Sequence, residues 1–138
     1  MKYMILTYAS QQDYDGMVGK ATDEPAWTEA DYRALGAFMT AFNQQLSDSG
    51  ELVETRGLSV PVLTRRVRLV DGVAVVTDGP YAETQEVLAG YWIVDCSSFD
   101  RATEIAAGLA ACPAPAHLRD RAMADVRPLD EVMPPREG

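Results

Sequence analysis

The chain has 138 residues, enough for one domain with its own hydrophobic core and too few for two domains of ordinary size. An apolar fraction of 47% and a charged fraction of 24% are typical of a folded globular protein, so neither a disordered nor a fibrous class is favoured. The formal net charge of −9 repels a phosphate backbone, and we expect no nucleic-acid partner.

The sequence also disfavours a membrane protein and a metal site. No apolar run approaches the roughly 20 residues that span a bilayer, and the N-terminus turns polar at Thr7, too early for a signal peptide. We therefore expect a cytoplasmic protein without a membrane partner. Cys96, Cys112 and His117 are too few for a zinc site, so we expect reduced cysteines and no metal or other cofactor.

The N-terminal part predicts a strand followed by a long loop. Residues 2–8 are rich in aromatic and β-favouring side chains and are too short for a helix. Residues 9–26 lack periodicity and contain Gly and Pro. Because this loop carries Tyr14 and Met17 and leads to Trp27, it has the composition of a lid over a binding site.

A long amphipathic helix comes next. Thr28 and Asp31 have the spacing of a capping box, and Gly50 supplies the C-terminal stop. The apolar residues between them recur every three or four positions, which is typical of a helix that packs one face on a core. They are Tyr32, Leu35, Met39, Phe42 and Leu46.

The middle of the chain predicts a short strand, Leu52–Arg56, and then a β-hairpin. Asp71 and Gly72 separate two strand-like runs and favour a two-residue type I′ turn, which pairs Val70 with Val73. Side chains alternate along a strand, so the hairpin has two faces. One face, expected to lie under the helices, holds Val67, Leu69, Ala74 and Val76. The other face holds Arg66, Arg68, Val70, Val73, Val75 and Thr77.

The C-terminal part predicts a strand over residues 88–96, a helix capped near Ser98, a loop over 113–121 and a last strand over 123–127. The domain then spans residues 1–128, and residues 129–138 form a mobile tail.

This order of elements predicts an α+β sandwich with both helices on one face of a mainly antiparallel sheet. The chain is too short to supply a third layer for the other face. A second copy of the chain is the simplest cover, so we expect a homodimer formed through the face that bears Val70, Val73 and Val75.

The turn after the hairpin concentrates the polar chemistry. Asp78, Tyr81 and Glu83 lie within a few residues of each other, between two strands that carry little charge. Asp78 either caps its own turn or faces a pocket as a general acid, a general base or a ligand contact.

The stretch Val76-Thr-Asp-Gly-Pro-Tyr-Ala-Glu-Thr-Gln-Glu-Val-Leu-Ala-Gly-Tyr91 resembles the YCII-related family, in the branch named after its Asp-Gly-Pro-Phe motif. The resemblance covers nearly the whole domain. It implies a ferredoxin-like βαββαβ sandwich assembled as a dimeric α/β barrel. Most members lack a known activity, some are encoded near alternative sigma factors, and the wider superfamily includes enzymes. The chain departs from the family in having Tyr81 for the usual Phe, and Cys112 where a His often precedes Pro, which weakens the transfer of a His–Asp catalytic pair.

The other candidate ligand-binding residues also have alternative roles. Arg68 either forms an ion pair across the dimer with Asp95 or Glu83 or binds an anionic ligand. Tyr81 and Tyr91 either line a cavity or pack. Glu83 either contacts a ligand or is solvated, and Tyr8 is a further candidate for ligand binding. His117 lies in a Pro-rich loop, where we expect an exposed histidine, with a catalytic role as the alternative.

Two classes of function follow. The first is a dimeric small-molecule-binding or accessory protein, linked through the family to sigma-factor regulation. The second is a metal-independent enzyme in which Asp78 acts as general acid or base and Arg68 anchors an anionic or carbonyl-bearing ligand.

Overall fold

A computed structural model describes residues 1–130. The strands within these residues are β1 (Lys2–Ala9), β2 (Leu52–Gly57), β3 (Arg65–Val70), β4 (Val73–Asp78), β5 (Val87–Asp95) and β6 (Asp125–Pro128). The α-helices of the same part of the chain are α1 (Gln11–Met17), α2 (Glu29–Asp48), α3 (Phe99–Ala110) and α4 (Ala116–Arg119). Most of the predicted tail, residues 131–138, lies outside the described residues.

Four of the strands form one antiparallel sheet in the order β2-β5-β1-β6. Each of the two long helices connects strands that are separated in this order by one other strand, as in a split βαβ unit. The predicted α+β class is confirmed, and the strand order is consistent with a ferredoxin-like chain that carries an extra hairpin.

The core lies between one face of this sheet and the two long helices. Tyr3 and Ile5 of β1 and Val94 of β5 are almost fully buried, as strand alternation requires of residues on the inner face. Helix α3 adds a stripe with helical spacing that includes Ile105 and Leu109. Burying an aliphatic side chain of this size contributes about 1.5 to 3 kcal/mol, so this layer contact holds the helices on the sheet.

Trp92 links the core to helix α2. Its indole Nε1 donates a hydrogen bond of 2.8 Å to Asn43 Oδ1, which satisfies the one polar atom of a buried ring. The Phe42 ring meets it edge-on at 6.0 Å between centroids. The ring and the amide together fix where α2 crosses the sheet.

The predicted long helix is confirmed, including its caps. Thr28 and Asp31 form the capping box, and Gly50 follows the helix with φ of +78°.

The loop predicted over residues 9–26 is wrong in part, because it contains α1. A second capping box starts this short helix, with Ser10 Oγ accepting from the Asp13 backbone and Asp13 Oδ2 accepting from the Ser10 backbone. Seven residues are too few for a stable isolated helix, so α1 depends on tertiary contacts that the sequence pattern does not display. A four-residue helix, α4, likewise lies within the loop predicted over 113–121.

The predicted hairpin is confirmed in turn type and register. Asp71 and Gly72 have φ of +50° and +78°, as a type I′ turn requires, and Val70 pairs with Val73. The expectation that one face of it lies under the helices is wrong. Strands β3 and β4 form their own two-stranded sheet, and Val67 and Leu69 on that face are 62% and 76% exposed. The opposite face, with Val70, Val73 and Val75, is also exposed.

No helix among residues 1–130 is long and apolar enough to cross a bilayer.

Candidate functional site

An apolar concavity lies between the helices and the end of the sheet where β1 finishes and β5 begins. It encloses about 300 Å³, at the lower end of the range of small-molecule sites. The sheet contributes the floor through Ala89 and Trp92, and helices α2 and α3 contribute one wall through Leu35, Met39 and Leu109. Helix α1 and the segment after it contribute the facing wall.

Four aromatic side chains line this cavity: Tyr8, Tyr14, Trp27 and Trp92. The Tyr14 hydroxyl lies 3.1 Å from the Leu58 carbonyl and 3.3 Å from that of Ala89, so it can donate to either. Burial raises the pKa of Tyr14, which keeps the phenol neutral. These contacts hold α1 against the sheet and place its tyrosine in the cavity wall.

Tyr8 is the aromatic lining residue that contacts β6. Its hydroxyl donates a hydrogen bond of 2.7 Å to Asp125 Oδ2. This hydrogen bond to a carboxylate raises the pKa of Tyr8, because ionising the phenol would remove the donor and place two negative charges together. Tyr8 therefore acts in the cavity as a fixed neutral ring.

A charged cluster ties the segment between α1 and α2 to the region of α4. An Arg121 guanidinium nitrogen lies 3.2 Å from Asp13 Oδ1 and 3.0 Å from Glu24 Oε2. His117 Nε2 lies 2.9 Å from the same Glu24 oxygen. His117, expected to be exposed and unremarkable, is instead half-buried in this cluster. Arg121 and Asp13 also line the cavity, so the cluster holds its outer wall closed.

Cys112 is the cysteine that contacts the cavity, whereas Cys96 is buried in the core. Both are free thiols, as expected. Burial raises the pKa of Cys112, so its thiol stays protonated and is a poor nucleophile at neutral pH. Its role in the wall is that of a small apolar side chain.

Of the predicted site residues, Tyr8 alone lines this cavity. Asp78 lies at the base of the hairpin, where its Oδ1 accepts a hydrogen bond of 2.8 Å from Arg65 Nε. Arg68 pairs with Val75 on the opposite face of the hairpin. A single chain therefore does not bring the Asp78 and Arg68 side chains together.

The remaining predicted residues are dispersed. Tyr81 lies under the Arg66 guanidinium, 5.4 Å from the ring centroid, and lines a shallow groove beside the hairpin. The Glu83 side chain is exposed, while its carbonyl accepts a hydrogen bond of 3.0 Å from the Gln12 backbone. Tyr91 is half-buried and alternates with Trp92, which faces the core.

The sequence predicted a lid from the segment that carries Tyr14, Met17 and Trp27, and all three residues line the cavity. It missed Asp13 and Arg121. The spacing of Ser10 and Asp13 is a capping signal that could have revealed α1. Arg121 had no comparable signal, because it meets Asp13 only through the tertiary fold.

The layers and the cavity define the class as a small α+β domain, with helices on one face of an antiparallel sheet and space for a small molecule between them. A model of the YCII-related domain matches residues 1–126. The chain belongs to the YCII-related family, so the expected relationship is confirmed. An uncharacterised protein of Rhizobium meliloti (strain 1021) is similar, with 30% identity over 84 residues that cover 61% of this chain and 68% of that protein. Membership of the Asp-Gly-Pro-Phe branch stays a prediction.

Proposed function

We propose that this protein is a cytoplasmic, homodimeric small-molecule-binding protein whose ligand occupies the cavity between the helices and the sheet. The cavity is the observation that supports this proposal. A space of about 300 Å³ lined by four aromatic rings and few polar groups has the size and composition of an organic-ligand site. An accessory role linked to sigma-factor regulation is compatible with a binding site of this kind.

The hairpin supports the dimer. A two-stranded sheet is marginally stable by itself in water, yet β3 and β4 expose apolar side chains on both faces. Exposed apolar side chains gathered on one hairpin are typical of a protein–protein interface. The outer face of the main sheet also carries half-buried Met4, Leu6 and Ile93. A second copy of the chain would cover both surfaces and complete the dimeric α/β barrel implied by the family resemblance.

The alternative, a metal-independent enzyme that uses Asp78 and Arg68, requires the two side chains to meet. They lie on opposite faces of one hairpin, so such a site would take one of them from each subunit. The structure of one chain favours the binding function, because the concave, aromatic surface lies elsewhere.

A fragment screen on the purified protein tests the binding function. Trp27 and Trp92 both line the cavity, so an occupying ligand should change tryptophan fluorescence and raise the melting temperature. Ala110→Phe, at the cavity wall, should abolish binding by filling the space. Ala107→Phe, three residues earlier on the exposed side of α3, is the matched control and should bind normally. Ligands that bind both variants equally would place the site elsewhere.

A further inference from the structure

The cavity lining contains more acidic than basic charge. Its basic side chain, Arg121, is already held by two carboxylates, those of Asp13 and Glu24. Glu86 adds a second carboxylate to the lining beside that of Asp13, whereas Glu24 lies outside it. Two lining carboxylates thus outnumber the one lining guanidinium. An anionic ligand would be repelled here, whereas a cation would be attracted.

Glu86 is the carboxylate available to a ligand. It immediately precedes β5, whose Val87 pairs with Ala9, so it lies next to the start of α1. Asp13 in that helix is engaged by the Ser10 backbone and by Arg121. Among residues 1–130, Glu86 makes no hydrogen bond or ion pair with another side chain, and it is exposed to solvent where it lines the cavity.

The aromatic side chains that line the cavity also favour a cation over an anion. The π faces of tryptophan and tyrosine attract a positive charge within about 6 Å of the ring centroid, and tryptophan does so most strongly. Tyr14, Trp27 and Trp92 lie around the cavity, and the raised pKa of Tyr14 keeps that ring uncharged. The remaining lining is largely aliphatic or sulfur-bearing, which suits an uncharged body attached to the charged group.

We infer that the cavity binds a small amphiphilic amine, with its apolar body among the aromatic rings and its ammonium group at Glu86. This inference rests on the proposed function and names the class of ligand for the same site. The sequence predicts an anionic or carbonyl-bearing ligand because Arg68 could bind one, but Arg68 lies outside this cavity.

Three probes that share a phenyl ring and differ in charge test the inference: phenethylamine, phenethyl alcohol and phenylacetate. Isothermal titration at neutral pH and low salt, with tryptophan fluorescence as a second readout, compares their dissociation constants. Phenethylamine should bind about three- to tenfold more tightly than the alcohol, and phenylacetate should bind most weakly. Glu86→Gln should remove the preference for the amine. Glu83→Gln, on the same turn and outside the cavity lining, should keep it.

The outcomes separate the two proposals. Equal or tighter binding of the alcohol or of phenylacetate would overturn the amine assignment and leave the cavity as a binding site. Retention of the full amine preference in Glu86→Gln would overturn the role given to that carboxylate. If none of the three probes bound, and the wider fragment screen found no ligand that Ala110→Phe excludes, the proposed function would fail together with this inference.

Discussion

Arg121 and Glu24 meet at 3.0 Å and join the segment before α2 to the segment before β6, two parts of the chain that are 97 residues apart. The contact closes the outer wall of the cavity. His117 contacts the same Glu24 carboxylate, so polar side chains join this loop to the region of α4. Such a closure opens locally at a lower free energy than the core does.

Arg121→Met should therefore loosen the cavity wall without unfolding the domain. Removing the guanidinium leaves Asp13 and Glu24 without their shared cation. We expect faster amide hydrogen exchange in residues 18–28 and unchanged exchange in β1 and β5. Arg119→Met, on the same short segment, should leave residues 18–28 unaffected. Identical exchange of wild type and Arg121→Met would show that the ion pairs do not hold the loop.

Glu51→Gln should destabilise the protein at neutral pH and not at acid pH. Arg101 donates two hydrogen bonds, of 2.8 and 2.9 Å, to Glu51, and these lower the pKa of the carboxyl. The stabilisation is therefore complete above the ordinary pKa and is lost as pH falls through the lowered folded value. We expect urea unfolding to show a cost of about 1 kcal/mol at neutral pH that disappears once the pH falls below the lowered pKa of Glu51.

Glu104→Gln is the control for that experiment. Glu104 also contacts Arg101, at 3.2 Å, but through a more exposed side chain one turn along α3. Its loss should cost no more than about 0.5 kcal/mol. A Glu51→Gln penalty that persisted unchanged at acid pH would contradict the assigned ion pair.

A charge on the hairpin should separate the proposed dimer into monomers. Val75→Glu places a carboxylate on the face predicted to form the interface, and Val67→Glu places one on the other face. Both residues are exposed in one chain, so neither change should unfold it. Light scattering at micromolar concentration should give a dimer for wild type and a monomer for Val75→Glu. A 15.1 kDa species for the wild type would disprove the dimer.

Gly72→Val should weaken the hairpin itself. Gly72 has φ of +78°, a region that a β-branched residue enters at a cost of about 1 to 3 kcal/mol. We expect faster amide exchange in residues 65–78. Gly57→Val is the control, because Gly57 has room for a side chain and no positive φ. Equal amide exchange of residues 65–78 in Gly72→Val and Gly57→Val would show that the turn tolerates the strain.

Asp78→Asn tests the enzyme alternative. The Arg65–Asp78 pair is 69% and 74% exposed, so losing its charge should change the unfolding free energy by less than about 1 kcal/mol. If Asp78 contributes to a site formed across the dimer, ligand binding or turnover should be lost while the melting temperature stays near that of wild type. A clear fall in melting temperature with ligand binding intact would instead leave Asp78 in a structural role.

The sequence by itself determined the local elements whose signals are contained in a few neighbouring residues. The capping box of Thr28 and Asp31 placed the start of α2, and the Asp71-Gly72 pair placed a type I′ turn and with it the register of the hairpin. These are short-range effects of hydrogen bonding and backbone sterics, so they are visible without the fold.

Only the tertiary structure decided which surfaces meet. It separated the hairpin from the main sheet, which alternation of side chains could not reveal, because both faces of the hairpin carry valines beside charged side chains. It also brought Arg121 to Asp13 across 108 residues and so made the wall of the cavity. A contact between residues far apart in the chain depends on the packing of the elements between them, and no local pattern records it.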